Sequence, residues 1–193
     1  MDNKKRCSWC LSSELYIDYH DNFWGVPVFD DKLIFEFLSL EGAQAGLNWL
    51  TVLKRRAQYS QAFNDFNIKK VAEFNDQNIA EIIQNFDVIK NQLKIKSVIN
   101  NAKILRYKFS KEGSFSQFIW KYVNFKPVNN SFVSLNQIPS YDDISLRMSK
   151  ELKKLGFTFV GPTICYAFMQ AIGLVNDHLV DCYRYNEIRS LIF

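Results

Sequence analysis

Glycine and proline are scarce in this sequence, with 7 and 4 residues among 193. An all-β chain needs many tight turns, which these residues usually supply, so their scarcity argues against that class. No apolar run approaches the roughly 18 residues that a membrane-spanning helix needs. The charged N-terminus, Met1 to Cys7, has no apolar segment behind it and does not resemble a secretory signal. We therefore expect a cytoplasmic protein with no membrane partner.

Histidine and cysteine are also rare, with 2 and 4 residues. In a reducing compartment these cysteines are expected to be thiols or metal ligands rather than disulfides. His178 and Cys182 are one helical turn apart, and Cys7 and Cys10 form a C-x-x-C pair with His20 further on. These five side chains are candidates for a tetrahedral zinc site with four N or S ligands. A redox pair is the alternative for C-x-x-C, although no βαβ pattern surrounds it.

Hydrophobic residues, by contrast, make up 48% of the chain and include 17 phenylalanines. They recur at helical spacing, most clearly at Ile95, Val98, Ile99, Ala102, Leu105 and Phe109. Residues 1–30 show no such pattern and are expected to be irregular, and residues 124–140 form a connection. Thr51 is a candidate cap for one of the helices. The sequence predicts a single all-α domain over residues 1–193.

The stretch from Glu41 to Trp49 follows an apolar helix and contains four small residues. Glycine lets the backbone approach another group closely. A carboxylate and an indole beside such a turn suit a flat cationic ligand, because the indole face attracts cations. The alternative is a helix that ends in a turn, with Glu41 in solvent and Trp49 in the core.

Two features suggest contact with phosphate. Residues 144–173 predict two helices, the first ending at Gly156 and the second beginning at Pro162, directly after Gly161. A helix–hairpin–helix of this kind binds phosphate through backbone amides, whereas the alternative is an ordinary antiparallel helix pair. The basic run of residues 54–56 contacts phosphate or lies on a solvated face, and the net charge of +4 is compatible with either.

Four stretches resemble one known family. They are residues 6–9, 16–27, 40–53 and 156–171, with residues 173–178 soon after. On these residues the chain resembles the bacterial 3-methyladenine DNA glycosylase I family, within the helix–hairpin–helix DNA glycosylase superfamily. The resemblance implies an all-α helix–hairpin–helix glycosylase fold with a base pocket beside the hairpin.

The resemblance also implies roles for individual residues. A structural zinc, one per chain, would join segments 7–20 and 178–182, leaving Cys10 out. The family pattern assigns a catalytic role to Glu41 and places Leu47 in the gap left in the DNA. The remaining assignments are the zinc ligands Cys7, His20, His178 and Cys182, the base-binding residues Trp9, Tyr16, Tyr19 and Trp49, and the DNA contacts Gly161 and Thr163.

The implied function is base-excision repair. The chain would act as a monomer on double-stranded DNA that contains 3-methyladenine, hydrolyse the N-glycosidic bond and leave an abasic site. A DNA-binding helix–hairpin–helix protein without catalysis and a zinc-stabilised interaction module are the competing hypotheses. The chain departs from the family at Phe23, where an acidic residue often stands, and in the tail after Cys182. Asp177 lies where many members of the superfamily carry a catalytic aspartate, and it remains an alternative catalytic residue.

Overall fold

The computed structural model describes residues 3–109 and 113–191. In the N-terminal half, helices alternate with short turns. They are α1 (Glu14–Asn22), α2 (Asp31–Gln44), α3 (Trp49–Leu53), α4 (Arg56–Ala62), α5 (Ile68–Val71), α6 (Asp76–Asn85) and α7 (Gln92–Ile104). A π-helical turn, Leu105–Phe109, extends α7. Short 3-10 turns lie at Ser8–Cys10 and Asn64–Phe66.

In the described part of the C-terminal half, four more helices and a short strand pair follow. The helices are α8 (Phe115–Trp120), α9 (Asp143–Lys154), α10 (Pro162–Ala171) and α11 (Tyr183–Arg189). Strand β1 (Val128–Asn129) pairs in parallel with β2 (Val175–Asn176). Further 3-10 turns lie at Lys121–Val123 and Leu135–Gln137. The predicted all-α class is confirmed, because this two-residue pairing is small beside the helices.

Helix α2 is the central element of the fold. Ten consecutive residues of α2, from Ile34 to Ala43, are buried. The Asp30 side chain begins the helix by accepting a hydrogen bond from the Leu33 amide at 2.9 Å. Helices α3, α7, α8 and α10 all pack against α2. Because residues 34–43 are buried, a group that α2 carries within this stretch is held away from water.

Two local predictions are wrong. Residues 1–30 are not irregular throughout, because the Ser13 side chain accepts a hydrogen bond from the Tyr16 amide and begins α1. Thr51 is inside α3 rather than at its cap, which is Asn48: its Oδ1 accepts from the Leu50 amide at 2.8 Å. In both cases a short polar side chain directly before the helix satisfies an otherwise unpaired amide.

The predicted helical hairpin is formed by α9 and α10. Gly156 ends α9 with a φ of +93°, in the left-handed region that favours glycine. The turn is fixed from outside by Asn101, which donates to the Thr158 carbonyl at 3.1 Å and accepts from the Thr158 amide at 3.0 Å. A Cβ added to Gly42 of α2 would lie 3.3 Å from Phe159 Cβ. The hairpin turn is therefore seated against α2, next to Glu41.

The end of α10 meets the segment after α1 at another glycine. Gly173 has a φ of +73°, and a Cβ there would lie 2.5 Å from the backbone nitrogen of Pro27. The Gly25 amide donates to the Gln170 carbonyl at 3.0 Å, and the Val28 amide donates to the Ile172 carbonyl at 3.1 Å. This close approach brings N-terminal and C-terminal segments together. Within the described ranges, no helix is long and apolar enough to cross a membrane.

Candidate active site and metal centre

A cavity of about 220 Å³ lies between α1, α2, α3 and α10. It is smaller than the roughly 300–1,000 Å³ of pockets for drug-sized ligands, so its size suits a small planar molecule. Half of its lining residues are aromatic, and its polar groups are few. The lining residues are Trp9, Tyr16, Tyr19, Trp24, Glu41, Gln44, Trp49, Ile138, Ala167 and Gln170.

All five residues that the resemblance assigns to a base pocket line this cavity. They come from the Ser8–Cys10 turn, α1, α2 and α3, which are far apart in sequence, and they are Trp9, Tyr16, Tyr19, Glu41 and Trp49. The structure therefore brings them together around one space. Their individual roles remain predictions.

Glu41 is 4% exposed, although it lies beside the cavity. The alternative that placed Glu41 in solvent is therefore wrong. Burial alone raises the pKa of Glu41 to about 8. Among the described residues, no group donates a hydrogen bond to its carboxylate. A buried acid with no partner is held partly in its neutral form, and a cationic ligand would stabilise the charged form.

The aromatic walls contact one another at their edges. The Trp9 ring centroid lies 4.9 Å from that of Tyr16 and 5.0 Å from that of Trp24. The Tyr19 and Trp49 centroids are 5.3 Å apart. Burial, followed by the nearby Glu41 charge, raises the pKa of both Tyr16 and Tyr19, so both keep their phenol protons near neutral pH.

Trp49 also has an unused polar atom. Its indole Nε1 is buried and has no hydrogen-bond partner in the described part of the chain. Buried donors in folded proteins are nearly always paired. The unpaired Trp49 donor and the unpaired Glu41 carboxylate, both beside the same cavity, indicate a site that is completed by a ligand.

Five lining residues were not predicted: Trp24, Gln44, Ile138, Ala167 and Gln170. A signal existed for Gln170, because it lies three positions after Ala167 on the inner, apolar face of α10. A polar residue on such a face often serves a site. Ile138 lies in the 124–140 connection, where no pattern could show that it folds over the cavity.

A second cluster joins the two ends of the described chain. Cys7, His20, His178 and Cys182 are all buried, and their ligand atoms lie within 4.8 Å of one another. Cys182 Sγ is 3.4 Å from His20 Nε2 and 3.6 Å from His178 Nδ1. These four side chains could hold a metal ion, and they are the four that the resemblance implies.

Both histidine rings are oriented by a second contact. His20 Nδ1 lies 2.7 Å from Asp21 Oδ1, and His178 Nε2 lies 3.1 Å from the Trp24 carbonyl oxygen. Such acceptors fix the tautomer, so that the other ring nitrogen is free to bind a metal. Asp21 is itself held by Arg6, whose Nη2 is 2.8 Å from Oδ2. Burial lowers the pKa of His178, which favours the neutral ring that a metal requires.

The other two cysteines are outside the cluster. Cys10 Sγ donates to the Cys7 carbonyl at 3.1 Å. Cys165 is fully buried in α10, as expected for a core residue. The hydrogen bond from the Cys7 thiol lowers the pKa of Cys182, so the cluster favours a thiolate at this position. A redox role for the C-x-x-C pair loses support, because Cys7 is turned toward the two histidines and Cys182 instead.

The predicted DNA contacts lie at the surface. Leu47 is 40% exposed on the turn between α2 and α3. Lys94 fixes this turn from below, since its Nζ donates to the carbonyls of Ala43 and Ala45 at 2.8 and 2.7 Å. Thr163 is exposed at the start of α10, and in the described ranges no side chain caps this helix at Gly161.

The basic run of residues 54–56 divides into paired and exposed groups. Arg55 Nε is 3.0 Å from Asp87 Oδ1, and Arg56 Nε is 2.7 Å from Glu36 Oε1. Lys54 is exposed. Among the described residues, Lys54 is therefore the one member of this run without an acidic partner.

Phe23 packs behind the cavity and does not line it. Its ring stacks on Tyr19 at 6.4 Å, and the Arg56 guanidinium lies 4.8 Å above its centroid. Phe23, the predicted departure from the family pattern, therefore makes an aromatic contact that supports Tyr19. Asp177 is also outside the lining, and it is 1% exposed.

Comparison with known proteins identifies the family. A sequence model of the methyladenine glycosylase family matches residues 9–185. The curated "DNA-3-methyladenine glycosylase" of Haemophilus influenzae is 46% identical over 177 residues, which cover 92% of this chain and 96% of the relative.

Solved structures agree with this match. A crystal structure of 3-methyladenine DNA glycosylase I superposes with a TM-score of 0.90 at 43% identity, covering 93% of this chain and 98% of the other. A Staphylococcus aureus structure, described as the structural basis of 3-methyladenine recognition by 3-methyladenine DNA glycosylase I, superposes with a TM-score of 0.89 at 36% identity, covering 92% of this chain and 95% of the other. The chain belongs to the methyladenine glycosylase family, as its sequence resemblance predicted.

Proposed function

We propose that this chain hydrolyses the N-glycosidic bond of 3-methyladenine in alkylated double-stranded DNA and leaves an abasic site. One observation carries the proposal: an unpaired, buried carboxylate, Glu41, faces a cavity walled by aromatic rings. The family relationship supports the same activity, since the H. influenzae relative is named DNA-3-methyladenine glycosylase.

The chemistry follows from the charge of the substrate. Alkylation at N3 makes the base cationic and weakens its bond to deoxyribose, so a strong general acid is not required. The aromatic faces attract the cation, each contributing roughly 0.5–2 kcal/mol. Glu41 accepts hydrogen bonds from the edge of the base, and such charge-assisted bonds are stronger than neutral ones. The bonding electrons leave with the base, and water attacks the sugar carbon.

The base must leave the helical stack to reach this cavity. We propose that Leu47 fills the gap that the base vacates, since it is exposed on a turn fixed by Lys94. Gly161 and Thr163 lie at the N-terminus of α10. A helix N-terminus with free amides suits a phosphate oxygen, so we propose that the backbone here contacts the DNA phosphate. Phosphate contacts of this kind hold the duplex in register without reading its sequence.

We also propose that the buried cluster holds one structural zinc ion. Zn–S bonds of about 2.3 Å and Zn–N bonds of about 2.0–2.1 Å give tetrahedral S···N edges of about 3.6 Å. The distances of 3.4 and 3.6 Å from Cys182 Sγ to the two histidines fit that edge. With all four ligands buried, no coordination position opens toward the substrate.

Zinc would act on the active site indirectly. Trp24 stacks edge-on against His178 with centroids 4.7 Å apart, and Trp9 lies 5.3 Å from His20. Both tryptophans line the cavity. The ion would therefore fasten residues 7–20 to residues 178–182 and hold one wall of the base pocket.

We further propose that residues 1–193 act as one domain and as a monomer.

A DNA-binding protein without catalysis is the second candidate. It would use the hairpin and Leu47 but would have no need for an unpaired carboxylate in an aromatic cavity. Ionising such a group in the folded protein is unfavourable, and DNA binding alone gives no reason for it, which favours the enzyme.

The test is the release of free methylated bases from methylated DNA, separated by chromatography. Wild type is expected to release 3-methyladenine, and Glu41→Gln to release it more slowly while DNA affinity is retained. Glu81→Gln, an exposed change of the same chemistry in α6, is the control. No release by folded, zinc-containing wild type would refute the proposal and favour the DNA-binding candidate.

A further inference from the structure

Gln170 is the one lining residue of α10 that carries an amide. An amide presents either a donor or an acceptor to a ligand, depending on which way it is turned. Its Nε2 lies 2.8 Å from Asp177 Oδ2. Because a carboxylate accepts hydrogen bonds, the atom that faces Asp177 is the amide nitrogen.

Asp177 is held too firmly to turn away. It is 1% exposed. The Tyr166 hydroxyl donates to Oδ2 at 2.8 Å, and Asn130 Nδ2 donates to Oδ1 at 2.7 Å. Three donors thus converge on one buried carboxylate, and the third is Gln170. The orientation of the Gln170 amide is therefore imposed by a fixed neighbour.

The oxygen of the same amide remains unused. Gln170 is partly exposed, and in the described part of the chain no donor lies within hydrogen-bond distance of its Oε1. Since Nε2 faces Asp177, Oε1 is turned away from Asp177, and the side chain borders the cavity. The cavity thus contains a fixed neutral acceptor in addition to the Glu41 carboxylate.

We propose that Gln170 makes this site selective for purines with an amino group at position 6, and that Asp177 is the positioning residue that fixes the Gln170 amide. The inference rests on the proposed function for the identity of the ligand. The amino group of 3-methyladenine has two hydrogens, one for Glu41 and one for Gln170 Oε1. A base with a carbonyl at position 6, such as 3-methylguanine, would bring an oxygen against Oε1 and leave that acceptor unpaired.

This arrangement gives Asp177 a role other than catalysis. Asp177 does not line the cavity, and its oxygens are occupied by Tyr166, Asn130 and Gln170. It reaches the ligand only through the Gln170 side chain. Sites that hydrogen-bond a substrate group reject analogues lacking that group far better than apolar pockets do. In this partly open cavity we expect a preference of about 10- to 100-fold.

The test compares two free bases that differ at position 6, 3-methyladenine and 3-methylhypoxanthine. Binding is followed by quenching of tryptophan fluorescence, since Trp9, Trp24 and Trp49 line the cavity. Wild type is expected to prefer 3-methyladenine by about 10-fold or more. Gln170→Met removes the acceptor and should reduce that ratio to near one, chiefly through weaker binding of 3-methyladenine.

Asp177→Asn is the decisive variant. Asparagine can donate to Oε1, which lets the amide turn over and present its nitrogen to the cavity, so binding of 3-methylhypoxanthine should improve. Tyr166→Phe removes another donor to Asp177 and should leave the ratio unchanged. Zinc content and melting temperature show that each variant is folded. If Asp177→Asn does not fold, Gln170→Met decides the question alone.

Two outcomes overturn the inference. One is an unchanged ratio of the two affinities in Gln170→Met. The other is an equal loss of affinity for both bases in every variant, which a purely structural role would give. Excision from methylated DNA is measured in parallel. Absent excision together with a ratio that depends on Gln170 would refute the proposed function and leave this inference standing. Normal excision with an unchanged ratio in Gln170→Met would refute this inference and leave the proposed function standing.

Discussion

Replacing Glu41 with glutamine should make the protein more stable at alkaline pH. Glu41 is buried without a partner, and burial raises its pKa from 4.5 to about 8. Between these two values the folded state binds a proton that the unfolded state releases. Stability therefore falls as pH rises through this window, and the full penalty is present above pH 8. Glutamine has nearly the same shape and no charge, so the variant carries no such penalty.

The size of the effect follows from the pKa difference. Each pKa unit corresponds to about 1.4 kcal/mol, so the rise from 4.5 to about 8 gives roughly 4–5 kcal/mol above pH 8. At pH 5 both side chains are neutral in the folded protein, and the two proteins should have nearly equal stability. A difference of this size would raise the melting temperature by roughly 8–20 °C in a chain of this length.

Urea unfolding of wild type and Glu41→Gln at pH 5, 7 and 9 measures the difference directly. The difference in unfolding free energy isolates Glu41, because every other titrating group is common to both proteins. Glu81→Gln in α6 is exposed and should follow wild type at each pH. A constant difference between pH 5 and 9 would falsify the claim that Glu41 is uncompensated, and would mean that a partner such as ordered water supports its charge.

Three further predictions concern the proposed zinc site, the close approach at Gly173 and the basic run of residues 54–56. Cys182→Ser should lose zinc and melt at a lower temperature, whereas Cys10→Ser should keep zinc. The zinc content of each variant is measured after gel filtration. Equal zinc in both variants would exclude Cys182 as a ligand. Gly173→Ala places a methyl group 2.5 Å from backbone and should lower the free energy of unfolding by about 3 kcal/mol or more. In the control variant Gly161→Ala, the added methyl group meets nothing within 4 Å. Equal urea midpoints for the two variants would contradict this prediction. Lys54→Gln should reduce the slope of log DNA affinity against log salt concentration by about one. An unchanged slope would place Lys54 on a solvated face.

The helical fold could be predicted because its signals are local. The hairpin follows from Gly156, Pro162 and the apolar spacing of the two helices around them. Helix α1 was missed because its start depends on Ser13 and its buried face is built from Tyr19 and His20, which do not form an aliphatic stripe. Strand β1 has only two residues and exists because β2, far along the chain, lies beside it.

The site was partly predictable for a different reason. The spacing of His178 and Cys182 and the pairing of Cys7 with Cys10 limited the metal candidates, but spacing could not exclude Cys10. Its exclusion depends on the fold, which turns its thiol to the Cys7 carbonyl. Similarly, no local pattern shows that Gln170 and Asp177 meet, because that contact depends on how the chain turns back after α10.

Under the proposed function, the unfavourable burial of Glu41 would also let the site distinguish a damaged base from a normal one. A neutral adenine in the cavity leaves the carboxylate without a counter-charge, so Glu41 stays protonated and offers one donor and one acceptor. A 3-methyladenine cation supplies the missing charge, and the ionised carboxylate then becomes the favoured form. The same desolvation that lowers stability in the free protein therefore becomes a difference in binding between the two bases. A solvent-exposed glutamate, with its pKa near 4.5, would be ionised in both cases, and the high dielectric of water would weaken its preference for the cation.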